Sequence, residues 1–161
     1  MSARRGVLAL GLAVGLAGCV SERVIGLELR PPRGPDGGPD VPAALAAWEV
    51  RLVRLEGDEG CPGPEASAAG RTPRLGHAQS FPAADGMGVA IGEVPPGRWA
   101  VTALGRDADC GVRLHGCAEL VLDDGAPTRL VVETSPVATG ATCGCRACDA
   151  GVCAPLLDVC E

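Results

Sequence analysis

From residue 45 onward, apolar and polar positions alternate with a period of two. Trp48, Val50 and Leu52 alternate with Glu49 and Arg51. This predicts a strand with one buried face, because successive side chains of a strand point to opposite sides. Val53-Arg54-Leu55 slips the phase and predicts a bulge or a strand end. Gln79 to Phe81 is a short strand candidate, and Met87 to Val94, with Val89 and Ile91 among glycines, is a better one. Pro95-Pro96-Gly97 predicts a turn. Trp99, Val101 and Ala103 then alternate with Arg98, Ala100 and Thr102, as in a central strand. Ala118, Leu120 and Leu122 alternate with Glu119 and Val121, and Leu130, Val132 and Thr134 alternate with Arg129, Val131 and Glu133. Asp124-Gly125 between them, lengthened by Ala126-Pro127, predicts a hairpin with one apolar face. Only Pro42 to Trp48 could hold a helical turn. Several short strands separated by turn signals predict an all-β fold, a single antiparallel sandwich over residues 45–137.

The flanks are different. Residues 20–29 are a short mixed segment that forms a strand or nothing. Residues 30–42 hold five prolines and three glycines, a composition expected of a linker. Residues 19–44 are therefore expected to form a tether, and Gly57 to Arg74 to form a loop. Residues 138–161 hold five cysteines and no pattern that predicts a regular element.

The N-terminus begins with Arg4 and Arg5, followed by an apolar or glycine run of eleven residues from Gly6 to Leu16. That run is too short to span a bilayer, which takes roughly 20 residues, and has the length of a removable signal. Leu16-Ala17-Gly18-Cys19 then resembles the lipobox of bacterial lipoproteins. The resemblance implies that residues 1–18 are removed as a signal peptide. It also implies that Cys19 becomes a lipidated N-terminus, attached to the membrane by two or three acyl chains, enough for stable anchoring. The absence of an aspartate beside the cysteine, where Val20 and Ser21 stand, resembles the pattern of outer-membrane sorting. The expected location is the cell envelope, in the outer membrane, on either face.

The stretch from Val94 to Ala103, with its Pro95-Pro96-Gly97, Trp99 and Val101, resembles a strand of transthyretin-like or carboxypeptidase-regulatory-like sandwiches. These are immunoglobulin-like domains that are usually structural or binding modules without catalysis.

Composition narrows the classes. The formal net charge is −6, and loss of Arg4 and Arg5 takes the mature part to −8. Such a surface is expected to repel nucleic acid and anionic head groups. All basic charge is arginine, and lysine, asparagine and tyrosine are absent.

With Cys19 acylated, eight cysteines remain: Cys61, Cys110, Cys117, Cys143, Cys145, Cys148, Cys153 and Cys160. Outside the cytoplasm they are expected to form disulfides. Three lie in the sandwich and five in the tail. If all pair within the chain, an odd number of bridges must join the two regions. Cys110 and Cys117 are close in sequence and are expected to close a small loop, leaving Cys61 to reach the tail.

Other chemistry is weakly signalled. Cys145-Arg146-Ala147-Cys148 has redox spacing but no βαβ setting, and Cys143, Cys145, Cys148 and Cys153 could together hold zinc. Ser67, Ser80 and Asp85 lie near His77 in sequence, but no nucleophile-elbow motif is present, and His115 is expected to be exposed. Asp107 and Asp109, with Glu93 or Asp123-Asp124, could meet a calcium ion at strand ends. Trp48 and Trp99 are expected in the core, and an exposed Trp99 would favour a sugar- or protein-binding face. The reading is a lipid-anchored, non-catalytic structural or binding module with no catalytic residue, metal or cofactor. Its expected partner is an envelope protein or glycan. The alternative is metal or thiol-disulfide chemistry in the tail.

Overall fold

A computed structural model describes residues 25–68, 74–85, 88–91, 94–123, 129–137 and 148–153. Residues 1–18, expected to form the signal, Cys19, the expected Asp124-Gly125 turn, Cys143, Cys145 and Cys160 lie outside the described residues.

Among the described residues nearly all regular structure is strand. In order the chain forms β1 (Ile25–Arg30), β2 (Leu45–Arg54), a one-turn helix α1 (Pro64–Ala68), β3 (Leu75–Pro82), β4 (Gly88–Ile91), β5 (Gly97–Asp107), β6 (Val112–Leu122), β7 (Arg129–Pro136), and a two-residue hairpin of β8 (Cys148–Asp149) and β9 (Val152–Cys153). The first seven strands make one sheet in the order β3-β2-β5-β6-β7-β1-β4. Pairs are antiparallel except β1 and β7, which run parallel.

The sheet curls so that its two halves face each other. β1 and β2 are not neighbours in the sheet, yet Ile25, Leu27 and Leu29 share one core with Trp48, Val50, Leu52, Trp99, Val101 and Val132. The alternation read from the sequence supplies this interior. The phase slip after Leu52 is a register shift between β2 and β3. Trp48 and Trp99 are both core residues.

Two boundaries differ from the sequence expectation. The sheet begins at Ile25 rather than near residue 45, since β1 is fully integrated: its apolar residues Ile25, Leu27 and Leu29 all point inward. The Pro/Gly-rich segment is thus a connection between strands rather than a free tether. It is a turn closed by Gly34 N–H donating to Gly38 O at 2.8 Å and Asp40 N–H donating to Pro32 O at 2.7 Å. The tail also has a regular element. Ala150 (φ 47°) and Gly151 (φ 85°) both take left-handed backbone between β8 and β9, the tight-turn geometry that matches strand twist.

Register fixes what lies at each end of the sheet. Gly26 is opposite Arg129, Gly97 opposite Leu122, and Arg54 opposite Trp99. The start of β1 therefore lies at the same end as the start of β5, the end of β2 and the start of β3.

Candidate functional site

Alternation gives β2, β5 and β6 a second face, which carries Glu49, Arg51, Thr102, Leu104, Arg106, His115 and Cys117. Polar side chains alternating on a strand ordinarily face water. Here they are covered. The segment after β2 folds back with α1 over this face, where Ala68 packs against Leu104 and Val112, and Val53 and Leu55 against Ala100. Gly151 of the tail hairpin lies so close to Ala46, Ala47 and the Asp107 carbonyl that a Cβ there would come within 3.2 Å of all three.

Under this cover Arg51 and Arg106 are 1% and 0% exposed, and Glu49 is 4% exposed. Glu49 divides its carboxylate. Oε1 accepts from Arg51 Nε, and Oε2 accepts from Arg106 Nε at 2.6 Å. Arg51 Nη1 also donates to the Ser67 carbonyl at 2.6 Å, and Arg106 Nη1 to the Cys110 carbonyl at 2.8 Å. The two guanidiniums thereby tie α1 and the Cys110 turn to the sheet. One nitrogen of each, Nη2, is buried without a hydrogen-bond partner.

Two disulfides close the cover: Cys61–Cys117 joins the loop before α1 to β6, and Cys110–Cys148 joins the β5–β6 turn to the tail. Cys153 is disulfide-bonded as well. The bridge from sandwich to tail exists, but by a different pairing from the expected one. Cys110 and Cys117 do not bond each other, because Val112–Leu122 is extended. The six residues of strand from Val112 to Cys117 alone span roughly 17 Å, against a limit of about 7 Å between the Cα atoms of a disulfide. Cys110 reaches the tail, and Cys61 stays within the domain.

The other sequence candidates fare as follows. His77 lies in β3 rather than in a loop and is exposed. Ser67 meets His115 instead, with Oγ and Nε2 3.1 Å apart. Both sit under the cover, His115 half-buried rather than exposed, and burial pushes the His115 pKa below its ordinary value. Ser67 is 3% exposed and Oγ also donates to the Pro62 carbonyl at 3.4 Å, so this pair holds the loop. Asp107 is occupied. It accepts from Gly111 N–H at 2.7 Å, Asp109 N–H at 3.1 Å and Arg113 at 2.7 Å. Burial works to raise its pKa, but Arg113 and the two amides outweigh this and hold it below the ordinary carboxylate value. Among the described residues no group of three or more His, Cys, Asp or Glu side chains could hold a metal ion. Cys148, half of the C-x-x-C, is bonded to Cys110 and so is not paired with Cys145.

The sequence did not single out the feature most suited to binding. At the end of the sheet where β1 begins, three adjoining strand ends each carry an arginine: Arg74 before β3, Arg54 at the end of β2 and Arg98 at the start of β5. The backbone sets their level, with Arg54 N–H donating to the Arg74 carbonyl at 3.0 Å and Leu55 N–H to the Arg98 carbonyl at 2.9 Å. They line an open cleft of about 560 Å³ floored by Leu55, Gly76 and Trp99. Trp99 packs flat on Gly76, where a Cβ would come within 2.5 Å of the ring, and its Nε1 donates to the Pro95 carbonyl at 3.0 Å. Buried in this way, Trp99 is a floor and not a stacking platform for sugar. Arg74 pairs with Glu56 at 3.1 Å and Glu59 at 2.5 Å. Arg98 pairs with Glu119 at 3.2 Å and donates to the Gly57 and Glu59 carbonyls. The Arg54 guanidinium, between them, has no hydrogen-bond or ion-pair partner among the described residues. Its signal in the sequence was present but slight: arginine recurs beside the apolar pairs that end or begin these strands.

Fold and cleft define a small, disulfide-clipped all-β domain. No protein-family model matches the chain, and no curated protein matches it. Among solved structures it is similar to the fimbrial anchor protein Mfa2 from Porphyromonas gingivalis, with a TM-score of 0.41 and 14% identity. The match covers 70% of this chain and 49% of that one, so the chain spans about half the length of that protein.

Proposed function

We propose that the chain is an exported lipoprotein, anchored in the cell envelope through acylated Cys19, that acts as a non-catalytic structural or binding module. The observation that carries this reading is the placement of both described disulfides. Each closes a loop over a face bearing buried charge, a design that depends on an oxidising compartment. The Leu16-Ala17-Gly18-Cys19 sequence supplies the route to that compartment and the anchor.

The position of β1 sharpens the proposal. Only Val20 to Val24 separate Cys19 from Ile25, a span of no more than roughly 20 Å when extended. The domain would stand close to the head groups, with the cleft end toward them. An envelope component is the partner class this placement favours, met at the bilayer surface.

Growth with an alkyne-bearing fatty acid tests the anchor. Label is expected on the wild-type chain and not on Cys19→Ala, which should also leave the membrane fraction. Label retained by Cys19→Ala would refute acylation at that position.

A further inference from the structure

We infer that the cleft of Arg54, Arg74 and Arg98 is a binding site for a phosphate group. Three features point there. The flanking guanidiniums are held in place by carboxylates and carbonyls, so they lose little freedom when a ligand arrives. The central one, Arg54, is left with its whole fork of donors, the geometry that takes an oxyanion through two parallel hydrogen bonds. Leu55 and Trp99 close the floor, so these donors work beside a low-dielectric surface.

Charge argues for a compact ligand. The chain is acidic overall, and Glu56, Glu59 and Glu119 stand on the rim, each bound to a flanking arginine. Long-range attraction of polyanions is therefore absent, and recognition must come from contact at Arg54. A cleft of about 560 Å³ is the size of a small-molecule site and would admit a phosphate with the group it esterifies.

The choice of phosphate among oxyanions rests on the lipid attachment proposed above. The cleft opens at the end of the sheet from which the chain leaves for Cys19, so the phosphates nearest to it would be those of the anchoring bilayer. A soluble phosphorylated compound offers the same chemistry, and the test separates the two sources.

The full chain is treated with phenylglyoxal, which modifies free guanidiniums, and modification at Arg54 is read by mass spectrometry. Arg33, exposed at the opposite end of the sheet, is the internal control. In detergent, inorganic phosphate should slow modification of Arg54 saturably, while chloride at equal ionic strength should not. Trp99 fluorescence should titrate over the same concentrations. Arg54→Gln should weaken the fluorescence titration about tenfold or more, equivalent to about 1.4 kcal/mol, and Arg54→Lys should not restore it. In phospholipid vesicles without added phosphate, protection of Arg54 but not Arg33 identifies the head group as the occupant. Protection only on adding phosphate identifies a soluble ligand. No saturable protection in either setting, or an unchanged titration in Arg54→Gln, overturns the site. The detergent arm does not need the anchor, so its result stands whether or not Cys19 proves to be acylated.

Discussion

Glu49 shares its two oxygens between two buried guanidiniums, so its loss would leave both charges without a carboxylate in a dry interior. Breaking a buried pair by removing one partner costs about 3–5 kcal/mol. Glu49→Gln, isosteric but uncharged, should lower unfolding stability by about that amount in chemical denaturation. Replacing the whole cluster (Glu49→Leu, Arg51→Met and Arg106→Met together) should be neutral or stabilising, because the desolvation cost of all three ions disappears. His115 gives a pH signature. Its folded pKa is lowered by burial, so the folded state favours the neutral ring. The stability this contributes is present above the ordinary pKa of about 6.5 and is lost as pH falls below it. Asp107, whose folded pKa is also lowered, contributes stability above its ordinary value near 4 and loses it only in more acidic solution. Denaturation midpoints in wild type and His115→Gln should therefore diverge as pH drops through about 6.5. Parallel curves would assign the loss to another group.

The strands in the centre of the sheet were legible because one face of each is apolar throughout: Trp48 to Leu52, Trp99 to Ala103, Leu130 to Val132. β1 shows the same alternation at Ile25, Leu27 and Leu29, but at six residues, beside a proline-rich run, it carries too little pattern to distinguish a core strand from a spacer. The polar faces were less legible. Glu49 and Arg51 read as solvated, because nothing local tells that a loop 15 residues later is pulled over them by a disulfide to β6. Disulfide pairing depends on distance in space, and Cys110 and Cys117, neighbours in sequence, are held far apart by the strand that contains the second of them. The clips should matter energetically. The Cys61–Cys117 loop, 56 residues long, should contribute on the order of 2–5 kcal/mol. Cys61→Ser with Cys117→Ser should lower the thermal midpoint and speed amide exchange in 61–68 before it does so in β5. Uniform exchange would mean that the cover does not depend on its bridge.

At the scale of the whole molecule, the arrangement among the described residues is a small sandwich with its two described cross-links on one face, its charged cleft at one end, and the start of β1 at that same end. Covering an outer face with stapled loops adds buried surface that the two halves of the sheet alone do not provide. Acylation of Cys19, as proposed, would join this architecture to the membrane and leave eight cysteines to pair in an oxidising space. Intact mass and a non-reducing peptide map of the protein purified from membranes test that union most directly. The predicted result is an N-terminal peptide beginning at acylated Cys19, with Cys61 joined to Cys117, Cys110 joined to Cys148, and no free thiol. A polypeptide that starts at Met1, unacylated and with reduced cysteines, would contradict it.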